Sequence, residues 1–309
     1  LFLKRITATG YVYDRNDTRL LFTSKSETSI RQHIAAQIDK VLEARPEAAL
    51  IKGLAVGIRD SMTDAQWQLL QKTGTSHLLA ISGLHIGLVS GFVFFIMRKL
   101  WSLLPRLPLY CPAPIVGALF AILAAFTYAA LAGFAVPTQR ALIMIIIFML
   151  CVCSRYKFNS VQILIIAAVF VIIVDPFAIM SASFWLSFSA VGLLLYIGLQ
   201  KSPKWQQYLR VQWLISLGLT PLVIAYFQQI SWVSPIANLI AIPFASFFIV
   251  PLTLLGVATY FINIHLGTFF WLLAESALHY LQWFLQVVAS PSWAWKMYSI
   301  FDVRIWCVV

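Results

Sequence analysis

Between Pro112 and Asp175 only four residues are charged: Arg140, Arg155, Lys157 and Asp175 itself. A helix needs roughly 20 apolar residues to cross the hydrocarbon core of a bilayer, and this stretch holds three such segments. No water reaches the bilayer core, so each segment must satisfy its own peptide groups, which a helix does. Composition extends the conclusion to the rest of the chain. Residues are 61% hydrophobic and 11% charged, where a soluble domain carries about 25% charged residues. The eleven Trp and eleven Tyr suit the two membrane interfaces.

The predicted fold is an all-α polytopic membrane protein, a bundle of about eight transmembrane helices from residue 77 onward. The expected spans are 78–97, 115–134, 137–153, 160–174, 177–198, 211–227, 232–262 and 266–289. The seventh run contains Pro235, Pro243 and Pro251. Proline removes a backbone donor and clashes with the preceding turn, so this run is expected to be interrupted near Pro243, as broken or re-entrant halves. A further span is expected to begin at 303–309.

Basic residues in the loops orient the bundle. Loops after the first, third and fifth spans hold Arg98, Lys99, Arg106, Arg155, Lys157, Lys201, Lys204 and Arg210, whereas those after the second, fourth and sixth hold only Arg140. The first set is therefore assigned to the cytoplasm and the segment before the first span to the outside. Segment 291–300 is also outside if the seventh run crosses once.

Residues 1–27 read as the end of a truncated soluble domain. Leu1–Leu3, Tyr11–Tyr13 and Leu20–Phe22 are strand-like, with a polar turn at Asp14–Asp17, and two or three strands cannot fold alone. The chain starts at Leu1 without a signal peptide, as a piece of a longer protein would. Residues 28–76 read as an amphipathic helical linker. Ile30, Ile34, Ile38, Val41 and Leu42 share one face of a helix over 28–44, which could lie flat on the membrane or cap the bundle. A second helix is expected over 47–57. Thr63 and Gln66 predict a capping box for a third, over 64–72.

Net charge is +11, of which residues 1–76 carry +3 and residues 77–309 carry +8. Much of that excess serves topology. Cys151 and Cys153, two apart in one helix, face different sides, and no Cys/His metal spacing occurs. Neither a metal nor a cofactor is expected.

Polar residues inside spans are costly and mark function or internal pairing. Gly83, Gly87 and Gly91 recur every four residues, a small-residue stripe for close helix packing. His85 lies roughly opposite them and should face a wetted cavity or a neighbouring backbone carbonyl. Glu275, His279, Gln282 and Gln286 form one polar stripe on the eighth span, which lines water or locks onto another helix; Glu275 and His279 can pair at i, i+4. On the fifth span Ser183, Ser187 and Ala190 share a packing face. Phe184, Trp185 and Phe188 are stacking platforms for bases or core. Arg140 starts the third span where topology gives it no reason to be. Its fork of donors suits phosphate; alternatively it snorkels to headgroups or ties down carbonyls after Gly133.

The chain has no H-E-x-x-H and no P-loop. Only Asp175, Glu275 and Asp302 are acidic after residue 77, too few for a two-metal nuclease. Ser82 with His85 or His279 would imitate an intramembrane serine protease dyad only with the right geometry.

The stretch Gly74-Thr-Ser-His77-Leu-Leu-Ala-Ile-Ser82-Gly-Leu-His85-Ile86 resembles the signature of the ComEC competence family. Pro137-x-Gln139-Arg140-Ala141 through Met144, Asp175-Pro176 with Ser183-Phe-Trp-Leu-Ser187-Phe188, and Ala237-Asn238-Leu-x-Ala-x-Pro243 with Pro251 also match, in family order. So does Gly53-Leu-Ala-Val-Gly57. The resemblance covers about residues 46–255. It implies a channel for single-stranded DNA across the cytoplasmic (inner) membrane during natural transformation, preceded in the whole protein by an OB-type domain. Any nuclease activity would then reside in a C-terminal domain absent from this chain, which itself would not be an enzyme. Expected partners are single-stranded DNA, the lipid bilayer, competence DNA-binding and motor proteins, and further copies of the chain. Candidates for the DNA path are Arg140, Gln139, His77, His85, Ser82, Trp185 and Asn238. The alternative is a secondary transporter of a smaller anion, for which broken helices at the seventh run would supply a site.

Overall fold

The computed structural model describes residues 29–43, 45–59, 61–79, 81–104, 106–154, 158–198, 204–227, 229–291 and 295–297. The strands expected within 1–23 and the span start expected at 303–309 lie outside these.

Four short helices precede the first long one. Helix α1 (Ile30–Leu42) begins at Ser29, whose side chain and that of Gln32 form a reciprocal capping box. Its apolar face buries Ile34, Ala35, Ile38 and Leu42 against α2 (Pro46–Val56) and α14 (Ile264–Ala289). Of the two fates open to this amphipathic helix, it takes the cap of the bundle. Helix α2 starts on Pro46 and is buried on every side from Glu47 to Val56. It stops at Gly57, whose left-handed backbone (φ 72°) lets its N–H bond the carbonyl of Gly53 at 3.2 Å. Helix α3 (Asp64–Lys72) carries the predicted Thr63–Gln66 capping box. Helix α4 (Ser76–Leu79) completes the group.

Arg31 fastens this layer to the long helices. Its guanidinium donates to the Val56 carbonyl, at 2.8 and 3.1 Å, and to the Leu131 carbonyl at 2.9 Å. Tyr128 Oη donates to the Leu54 carbonyl at 3.1 Å. The layer therefore sits at the turn joining α7 (Ala113–Leu131) to α8 (Val136–Cys153). That turn lies at the opposite end of α7 from Arg98 and Arg106, the arrangement the loop charges predict. It needs two left-handed residues in succession, Gly133 (φ 68°) and Phe134 (φ 49°).

Helix α5 (Gly83–Ser102) begins five residues later than the span expected at 78–97. Ser82 ends the preceding segment by capping α5, so residues 76–79 become a separate turn. Helices α5 and α7, joined through α6 (Leu107–Tyr110), pack tightly. Their close approach depends on Gly117, where a Cβ would fall 2.9 Å from the Phe94 carbonyl oxygen. Next come α9 (Ser160–Val174), a 3-10 turn at Pro176–Met180, α10 (Ala182–Gly198) and α11 (Lys204–Phe227).

The predicted seventh run is α12 (Ser234–Phe244), a π turn (Ala245–Ile249) and α13 (Val250–Tyr260). The interruption does fall just after Pro243. It is a widened turn rather than a break, since Phe244, Ala245, Ile249 and Val250 all keep right-handed helical angles. A π turn absorbs the hydrogen bonds that Pro243 and Pro251 cannot make, so re-entrant halves are not needed. Helix α14 returns along α13, with Trp271 seated over Gly256 and stacked on Tyr260 at 5.0 Å. Strands β1 (Gln229–Ser231) and β2 (Trp295–Met297) pair antiparallel, so the chain comes back to the side where α12 began.

Among the described residues five helical runs are long and apolar enough to cross a membrane: 83–102, 113–131, 136–153, 210–227 and 234–260. Helices α9 and α10, at 15 and 17 residues, are shorter. Helix α14 is long but carries its polar stripe. A helix stands at each of the eight expected positions, and five of them qualify by length and apolarity.

Candidate nucleic-acid interface

Segments far apart in sequence meet at the end of the bundle that carries α1–α4. Gly83, in the first turn of α5, lies against Ala141 of α8, where a Cβ would sit 3.4 Å away. One residue earlier in α8, Arg140 donates from Nη2 to the hydroxyls of Ser183 and, at 3.4 Å, Ser187 on α10. Gly74 (φ 67°) backs onto Ser234, the first residue of α12, and Asn238 Nδ2 donates to the Ser234 hydroxyl at 2.9 Å. Ser231 closes the group by donating to the Lys72 carbonyl at 2.6 Å.

Arg140 is 3% exposed, and its Nε and Nη1 have no hydrogen-bond partner among the described residues. Asp175 is close enough to act on it electrostatically. An arginine carries five donors, and the hydroxyls satisfy only part of them. Gln139 points elsewhere: its Nε2 donates to the Phe134 carbonyl at 2.7 Å. Gln139, and not Arg140, ties down the turn after Gly133.

Ser82 and His85 are joined in a capping box at the start of α5. The Ser82 N–H donates to His85 Nδ1 at 3.4 Å, and the His85 N–H donates to the Ser82 hydroxyl at 3.3 Å. With Nδ1 accepting, the ring proton belongs on Nε2. That atom is fully buried and unpartnered, bonded neither to a backbone carbonyl nor, among the described residues, to any side chain. Ser82 therefore serves the helix end. His77 stays exposed, with Nδ1 3.1 Å from the Gly74 carbonyl oxygen. Trp185 is also exposed, and its indole donates to the Ile179 carbonyl at 2.8 Å. Asn238 is buried, with its Oδ1 unpartnered among the described residues.

The glycine stripe divides. Gly83 meets α8, but among the described residues nothing lies within 4 Å of a Cβ at Gly87 or Gly91. Close helix approach rests on Gly117 instead, a residue the stripe did not indicate. The stripe on α14 divides as well. Glu275 and His279 do not pair with each other. Glu275 takes Arg45 at 3.2 Å, and His279 Nδ1 lies 3.1 Å from the buried Glu47 carboxylate. These two lock α14 onto the start of α2. Gln282 and Gln286 line a cavity of about 620 Å³ between α14, α2 and α3. Among the described residues, no three His, Cys, Asp or Glu side chains converge to hold a metal ion.

The family model described as "Competence protein" matches residues 54–309. The chain belongs to the competence protein family. It is 34% identical over 281 residues to "Recombination protein 2" of Haemophilus influenzae, covering 84% of this chain and 34% of that protein. It is 34% identical over 247 residues to "Competence protein ComA" of Neisseria gonorrhoeae, covering 79% of this chain and 35% of that one. It is also 31% identical over 288 residues to "Uncharacterized protein YcaI" of Escherichia coli, covering 88% and 38%. The chain thus spans about a third of the length of these curated relatives. No solved structure matches.

Proposed function

We propose that this competence-family chain forms the path by which single-stranded DNA crosses the cytoplasmic membrane during natural transformation. One observation carries the reading: three of the family-like segments come together at buried Arg140, which donates to Ser183 and Ser187 beside the Gly83–Ala141 contact and keeps two of its three guanidinium nitrogens unpartnered among the described residues. A bare apolar wall would exclude a strand with a charge on every nucleotide. A guanidinium held in place by two hydroxyls, with donors left over, offers a phosphate charge-assisted hydrogen bonds. Gln139, His77, His85, Ser82, Trp185 and Asn238 fall into supporting parts. Ser82 and Gln139 shape the ends of α5 and α8, Asn238 the start of α12, and exposed His77 and Trp185 contact the strand. The driving force comes from a motor on the cytoplasmic side.

Transformation assays of Arg140→Lys and Arg140→Gln test this, with membrane abundance of each variant measured first. Arg140→Gln is expected to reduce transformation at least tenfold at normal abundance, with Arg140→Lys between it and the parent. Parental transformation by both variants would remove Arg140 from the path.

A further inference from the structure

The cavity beside α14 borders the α2 lock and carries further polar side chains that neither that lock nor Arg140 uses. Its floor is the Glu47–His279 pair, closed on itself at 3.1 Å. Its walls carry four carboxamides and Lys72; Gln66 is held by the Thr63 N–H and the Pro46 carbonyl, whereas the side chains of Gln68, Gln282, Gln286 and Lys72 make no hydrogen bond among the described residues. Trp283 lines the same space and is 62% exposed. A lipid chain would gain nothing from three amides. A flat aromatic heterocycle gains from both features, because an indole face stacks on it and a carboxamide presents a donor and an acceptor to its edge.

We infer that this groove is a nucleobase-stacking subsite, in which Trp283 takes the face of a base of single-stranded nucleic acid and Gln282 and Gln286 take its edge. The inference rests on the reading of the chain as a DNA path and adds where the strand is first held. Lys72 stands at the exit. Its carbonyl accepts from Ser231, and Gly74 and Ser234 are in contact two and three residues further along the chain, respectively. A strand whose bases lie in the groove has its backbone led by Lys72 toward exposed His77. Amides and a single indole do not discriminate among the four bases, which suits a protein that takes up DNA of any sequence. The volume, about 620 Å³, lies within the range of small-ligand sites.

The test uses the whole chain in lipid nanodiscs, with two fluorescent strands of equal length, an oligothymidylate and its abasic counterpart. Both present the same phosphates and only one presents bases. The parent is expected to bind the oligothymidylate about fivefold or more tightly, the scale of a stacked base. Trp283→Ala should abolish that preference while leaving abasic binding intact, and Trp283→Phe should keep most of it. Trp283 is exposed, so both variants should melt at the parental temperature. A 5-iodouracil strand should photo-crosslink to the α14 peptide. The groove is ruled out if both strands bind and Trp283→Ala keeps the preference, if the parent shows none, or if the cross-link maps elsewhere. Binding of neither strand would defeat the DNA-path reading itself, a result distinct from the other three.

Discussion

Replacing Gly133 by alanine strains the turn that fastens the N-terminal layer to α7 and α8. The residue is left-handed (φ 68°), and a Cβ there would fall directly on the Arg31 guanidinium. The left-handed backbone costs an L-residue about 1–2 kcal/mol. Displacing Arg31 also weakens its bonds to the Val56 and Leu131 carbonyls. A hydrogen bond to a charged group contributes about 1.5–3 kcal/mol, and water recovers part of it at this half-buried site. The expected loss is about 3 kcal/mol. Its two parts separate in a double-mutant cycle. In an Arg31→Ala background the clash is gone and only backbone strain remains, so Gly133→Ala should then cost about 1–2 kcal/mol. Unfolding in mixed detergent micelles, followed by tryptophan fluorescence, measures all four proteins. Equal costs in the two backgrounds, within the ~0.5 kcal/mol expected of independent sites, would refute the claim that Arg31 occupies the space over Gly133.

Gly117→Ala should destabilise the α5–α7 pair, because its Cβ would meet the Phe94 carbonyl at 2.9 Å and Arg98 Cβ at 3.2 Å. Gly87→Ala should be neutral or stabilising by up to about 1 kcal/mol, the helix-propensity gain with nothing in the way; the same unfolding assay ranks them. His279→Ala should cost about 1–3 kcal/mol by leaving the buried Glu47 carboxylate without its partner. Adding Glu47→Gln to that variant should recover part of the loss. No recovery would mean that Glu47 does not depend on His279.

Features set by near neighbours were legible in the sequence. Thr63 and Gln66, three apart, announced the start of α3 to the residue, and the spacing of Ile34, Ile38 and Leu42 gave the buried face of α1, although Ile30, expected on the same face, is exposed at the helix start. Pro243 announced an irregularity, but a proline alone does not decide between a break and a π turn. That depends on whether neighbouring helices re-satisfy the backbone. The start of α5 was missed because His85 completes its capping box where Glu or Gln is the usual signal. Partners distant along the chain could not be read. Glu275 suggested His279 one turn away, whereas Arg45, 230 residues distant, takes it. Nothing local to Arg31 signals its partner, a carbonyl 100 residues away. In the site, Arg140 was legible as an arginine without a topological reason to be there. The hydroxyls that hold it lie on another helix and read only as a packing face. Trp283 carried no signal, since a tryptophan in a long apolar helix is usually core or interface.

The central claim is that DNA crosses the membrane through this chain. The direct measurement follows radiolabelled donor DNA in a transformable host that carries the gene, comparing the parent, a deletion and the complemented deletion. Label is scored as nuclease-protected outside the cytoplasmic membrane or as cytosolic. Deletion is expected to leave protected label at the parental level outside that membrane and to abolish the cytosolic fraction, which complementation restores. Parental amounts of labelled DNA in the cytosol of the deletion strain would contradict the account.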